Sequence, residues 1–192
     1  METRFTIALW ARANAPAADY PTIASNKDWY SGEIRDYTER SNYGFSRTSG
    51  QLPGWAIALQ PNGAWAWNFG DGTHRLDYQP TTSQRIDDGS WHLIAFSVDA
   101  NTNQAHLYFD GRQVALYSLT GLEPIYGAPG IPSDSPDLHV EGFQRWDTVH
   151  SPEEIARRYQ QRDGRQAASY PTHAPGEPLR VLAWNIWNGG RE

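Results

Sequence analysis

Turn dipeptides recur along this chain at roughly 8–12-residue intervals, the spacing of an antiparallel β-sandwich. Phe5-Thr6-Ile7-Ala8-Leu9-Trp10 alternates with period two, so Phe5, Ile7 and Leu9 share one face of a strand. Pro61-Asn62-Gly63 separates Gly54–Leu59 from Ala64–Phe69, the pattern of a hairpin. Asp87-Asp88-Gly89-Ser90 precedes Trp91–Val98, Asn101-Thr102-Asn103 precedes Ala105–Phe109, and Asp110-Gly111 leads into Gln113–Tyr117. Thr22–Ser25 and Leu138–Trp146 add two further strands. The predicted class is all-β: a two-sheet antiparallel sandwich with one short late helix.

Ser151-Pro152-Glu153-Glu154 opens that helix, with Ser151 as the N-cap, Pro152 at the first helical position and Glu154 completing a capping box. Ile155 and Tyr159 form its apolar stripe, which ends near Tyr159. The stretch that follows is polar and carries Pro171, Pro175, Gly176 and Pro178, so it reads as a linker. A strand-like pattern resumes at Leu179. The organisation expected is a sandwich over 1–160, a linker over 161–178 and the opening strand of another domain over 179–192.

Nine Trp, ten Tyr and six Phe give ample apolar surface for a core and argue against intrinsic disorder. No apolar run approaches the ~20 residues of a membrane-spanning helix. A net charge of −6 with scattered basic residues disfavours binding to a nucleic-acid backbone. The absence of cysteine removes disulfides, thiolate zinc sites and cysteine nucleophiles. Lys27 is the only lysine among 16 basic residues, which reads as a coding bias toward Arg.

Four groups of residues bear on chemistry. Glu33, Asp36 and Glu39 form an acidic cluster, but their spacing of three suits a helical turn; carboxylates sharing a cleft from one strand need even spacing. A glycoside hydrolase is therefore the least favoured reading. Trp65, Trp67 and Phe69 share one face of a strand and are assigned to the core, and His92 and His106 to its edge. The long stretch from Asn26 to Pro53 has no period. Its Trp29, Tyr30, Arg35, Tyr37, Asn42 and Tyr43 admit two readings: a sugar-binding surface of rings and donors, or packing of the loop onto the sandwich.

Several phrases together resemble a laminin-G-like domain of the concanavalin A-like lectin/glucanase class over roughly residues 3–160. They are Phe5–Trp10, Ile23-Ala24-Ser25-Asn26-Lys27, Asn68-Phe69-Gly70-Asp71-Gly72, Asp88-Gly89-Ser90-Trp91-His92, Leu107-Tyr108-Phe109-Asp110-Gly111-Arg112 and Ser151–Ile155. The resemblance implies a jelly roll whose usual work is binding glycans or proteins. It also implies a secreted or extracytoplasmic location, with a strand and a signal peptide missing ahead of Phe5. Calcium is the cofactor it suggests, with Asp19, Asp28 and Glu141 as oxygen ligands. Where the family carries an acidic pair, this chain reads Val140-Glu141-Gly142-Phe143, a single carboxylate.

The tail Val181-Leu182-Ala183-Trp184-Asn185-Ile186-Trp187-Asn188-Gly189-Gly190 is similar to the first strand of the endonuclease/exonuclease/phosphatase superfamily, with Asn185 at the position of that family's active-site Asn. Those are metal-dependent phosphoester hydrolases, and their remaining metal-site residues are not in this chain. The expected function is thus a non-catalytic module that binds carbohydrate or a surface and serves a hydrolase. The alternative is a structural spacer packed on that hydrolase, with the Val181–Trp187 strand able to fill a bare sandwich edge.

Overall fold

The alternation at Phe5 becomes a ten-residue strand, β1 (Arg4–Ala13), and the rest of the chain builds two sheets around its apolar face. The computed structural model describes residues 4–17, 20–27, 45–47, 53–71, 74–122, 131–132 and 137–165. In chain order the further strands are β2 (Thr22–Ser25), β3 (Phe45–Arg47), β4 (Gly54–Leu59), β5 (Trp65–Gly70) and β6 (His74–Tyr78). They continue with β7 (His92–Asp99), β8 (Gln104–Phe109), β9 (Arg112–Ser118), β10 (Ile131–Pro132) and β11 (Leu138–Trp146), followed by the helix α1 (Pro152–Arg165). One sheet runs β11-β1-β7-β8-β9 and the other β10-β2-β4-β5-β6-β3.

The inward faces meet in an aromatic core. Phe5, Ile7 and Leu9 from β1 and Ile94 and Phe96 from β7 are fully buried against Trp55, Trp65 and Trp67. The Phe96 ring centroid lies 5.3 Å from that of Trp55 and 5.7 Å from that of Trp67. Trp65, Trp67 and Phe69 thus fill the core, as their shared strand face predicts. Burying each such side chain stabilises the fold by roughly 2–3 kcal/mol.

The turn residues do the work their types suggest. Asp110 (φ 48°) and Gly111 (φ 76°) both have positive φ, the type I′ geometry that joins two strands with two residues. A side chain at Gly111 would also meet α1, because its Cβ would stand 2.9 Å from the Cβ of Tyr159 and 3.1 Å from the Cα of Ala156. The Ser151 hydroxyl accepts the Glu154 N–H at 3.3 Å, and the Glu154 carboxylate accepts the Ser151 N–H at 2.7 Å, closing the predicted capping box. Ile155 and Tyr159 then lay α1 on the outer face of the five-stranded sheet, against Ala8, Leu93, Ala95 and Tyr108.

Several features depart from the sequence reading, which lacks the short strands β3 and β10. Strand β6 is absent from it, because Arg75 and Asp77 disguise an alternation in which Leu76 and Tyr78 point inward. The helix continues past Tyr159 to Arg165, into the stretch read as linker. Its last turns are held by guanidinium–indole contacts, Arg158 over Trp146 and Arg162 over Trp10, which an apolar-stripe criterion does not count. The strand assigned to Val181–Trp187 lies outside the described residues.

Candidate functional site

Alternation in the six-stranded sheet sends the large residues inward and leaves Ala56, Ala58, Ala66, Asn68, Arg75 and Asp77 on the outer face. The three alanines are fully buried, with Tyr20 packed against them. Beside them the face turns polar. Asn68 is fully buried and pairs in register with Asp77. The Arg75 guanidinium is 6% exposed and donates to Oδ1 of Asp77 from Nε at 2.8 Å and from Nη2 at 2.6 Å.

Lys27 joins this group from the end of β2. The side chain of Asn26 accepts the Trp55 N–H at 2.7 Å, fixing the chain beside the start of β4. Lys27, 8% exposed, then lies within the electrostatic reach of Arg75 and Asp77, and its Nζ is buried with no hydrogen-bond partner among the described residues. Burial above all, and then the Arg75 charge, lower its pKa to about 8 against the opposing pull of Asp77. Burying a charged group costs stability.

His92 is more ordered than an edge residue needs to be. Its Nδ1 lies 2.8 Å from Asp110 Oδ2 and its Nε2 lies 3.1 Å from Asp88 Oδ1. Each carboxylate also accepts a backbone N–H, that of Leu93 at 2.9 Å and that of Ser90 at 2.8 Å. The set therefore ties the turn before β7 to the β8–β9 hairpin. His106 is held by the Gln113 side chain at 3.1 Å on the outer face of the five-stranded sheet.

Of the residues singled out from sequence, Glu141 alone among the proposed metal ligands is described. It lies on β11, in the other sheet from β2, which Lys27 follows, and Arg162 takes its carboxylate at 2.5 Å. Among the described residues no group of three or more His, Asp or Glu side chains is placed to hold a metal ion. Asp19 and Asp28, the loop residues Trp29, Tyr30, Arg35, Tyr37, Asn42 and Tyr43, the cluster of Glu33, Asp36 and Glu39, and Asn185 lie outside the described residues. Lys27, Asn68, Arg75 and Asp77 are the residues that sequence reasoning missed. The one available signal was a sole lysine inside a motif of an otherwise arginine-biased chain.

A family model described as the concanavalin A-like lectin/glucanases superfamily matches residues 2–156. No curated protein matches the chain. Among solved structures, the fold is similar to the binding domain of Paraclostridial Mosquitocidal Protein 1, at 17% identity and TM-score 0.56, covering 83% of this chain and 37% of that one. It is also similar to the binding domain of botulinum neurotoxin serotype G, at 15% identity and TM-score 0.54, covering 83% of this chain and 36% of that one. The receptor binding domain of botulinum neurotoxin D matches at 12% identity and TM-score 0.55, over 83% of this chain and 37% of that one. The match therefore spans little more than a third of each of these structures.

Proposed function

The chain belongs to the concanavalin A-like lectin/glucanase superfamily, and from that premise we propose that its sandwich is a non-catalytic module that binds a carbohydrate or surface ligand. The observation that carries this reading is the Lys27 group. A buried ammonium with no hydrogen-bond partner among the described residues, beside an Arg–Asp pair and a buried amide, is a poor way to stabilise a sheet face and suits hydroxyl or anionic groups. The similar solved structures are themselves named as binding domains, which agrees with this use.

The loop residues Trp29, Tyr30, Arg35, Tyr37, Asn42 and Tyr43 follow Lys27 directly and supply the remaining contacts in this proposal. Calcium held by Asp19 and Asp28 is its cofactor arm, the Glu141 carboxylate being taken by Arg162, and a location outside the cell is its setting. No described helix is long and apolar enough to cross a membrane. The tail extends the proposal: the module orients a metal-dependent phosphoester hydrolase whose first strand carries Asn185.

A glycan-array screen of the full chain, in millimolar calcium and again with chelator, tests the reading. Binding that Lys27→Met abolishes supports it, and loss in chelator adds the calcium arm. Silence of a folded sample in both conditions overturns it and leaves the structural spacer. The hydrolase arm fails if the gene downstream of Glu192 lacks acidic and histidine motifs.

A further inference from the structure

On the opposite side of the molecule, a groove of about 340 Å³ lies between α1 and strands β1 and β11. Small-molecule sites occupy about 300–1,000 Å³. A β-bulge opens it. In the β1–β11 ladder Ala8 faces Gln144 but Trp10 faces Glu141, so β11 contains one extra residue at this point. Gly142 sits there at φ 60°, with the space for a Cβ 3.4 Å from Trp10 Cδ1. Bulges re-aim neighbouring side chains, and here both Glu141 and Gln144 line the groove.

The facing wall is set by α1. Arg158 stacks 3.8 Å over the Trp146 ring and donates to the Gln144 side chain at 2.5 Å. Arg162 lies 4.3 Å from the Trp10 ring and 4.6 Å from the Trp91 ring, with Nη1 2.5 Å from Glu141. Two guanidiniums are thus held in place before any ligand arrives, which removes much of the ordering cost of binding. Ala8 and Leu93 provide an apolar floor, and Gln161 stands on the exposed rim.

We propose that this groove is a second ligand site, and that it takes a carboxylate-bearing sugar. The floor suits the C–H face of a pyranose ring, while the amides and guanidiniums suit vicinal hydroxyls. Charge selects the acidic sugar. Two guanidiniums face one carboxylate, so the lining is net positive, and a planar guanidinium fork matches a carboxylate. These residues are distinct from those of the Lys27 group, and the two sites stand or fall separately.

The test is an NMR titration of the full chain with glucuronic acid and, separately, with glucose, following the Trp10 indole N–H assigned through Trp10→Phe. Glucuronic acid produces a saturable shift at millimolar concentration, and glucose binds at least about fivefold more weakly, a gap that narrows in high salt. Arg162→Gln weakens glucuronic acid about tenfold. Gln161→Ala weakens it with stability unchanged, and it carries the test if Arg162→Gln does not fold. Lys27→Met leaves this site's affinity as it was. Equal affinity for the two sugars overturns the choice of an acidic ligand. No shift with either sugar, or full affinity in both groove variants, overturns the site.

Discussion

The Nδ1 of His92 lies 2.8 Å from Oδ2 of Asp110, and this contact joins the first residue of β7 to the tip of the β8–β9 hairpin. Burial alone would lower the His92 pKa, but the hydrogen bonds to Asp110 and Asp88 and the charges of both outweigh it, so the net shift is upward. A base whose folded pKa is raised contributes stability below its unfolded pKa and loses it as pH rises through the folded value. His92→Gln is therefore expected to cost about 1–2 kcal/mol at pH 5.5, with a smaller difference from wild type at pH 8.5. Urea unfolding at the two pH values measures this; a gap that widens toward alkaline pH contradicts the assignment.

Lys27 has the opposite linkage. Its folded pKa of about 8 lies below the ordinary lysine value of 10.5, so the unfolded chain binds more protons between those values and stability rises with pH there. Lys27→Met should be more stable than wild type at pH 7 by about 1–3 kcal/mol and should lack the rise between pH 8 and 10. Chemical denaturation across that window decides the matter. A stabler protein that has lost its ligand is the signature of a residue kept for binding.

Gly111 and Gly89 make a controlled pair. Both have positive φ, 76° and 81°, but nothing lies within 4 Å of a Cβ built on Gly89, whereas one on Gly111 collides with α1. Gly89→Ala should cost about 1–2 kcal/mol, the backbone penalty alone. Gly111→Ala should cost more and speed amide exchange in α1, because the helix must move to admit the methyl group. Hydrogen exchange that is unchanged in α1 would show that the contact is slack.

Ser151→Ala removes one half of the capping box and should destabilise the protein by about 1 kcal/mol. The loss should appear as fraying of the first turn of α1 in amide exchange. An unaffected first turn would mean that Pro152 and the Ile155 contact suffice to start the helix.

The elements legible from sequence were those whose signal is local. Asn62-Gly63 and Asp110-Gly111 announce hairpins because their backbone geometry depends on the residues themselves. The capping box at Ser151 and Glu154 is likewise a four-residue event. What stayed hidden depends on residues far apart in the chain. Arg75 and Asp77 look like a solvated pair until Lys27 is set beside them from β2. Glu141 looks like a metal ligand until the helix returns across the sheet and Arg162 takes its carboxylate. Arginine stacked on tryptophan has no period to detect, so the last turns of α1 were hidden as well.

The glycine bulge in β11 has an effect beyond shaping a groove. Among the described residues, β11 forms an outer margin of the five-stranded sheet, where unpaired N–H and C=O groups could recruit a strand from another molecule. An extra residue in mid-strand throws that row out of step, so a second copy cannot run alongside it without losing pairing. The kink that admits a ligand on the face of the sheet thus makes its border a poor template for fibre growth.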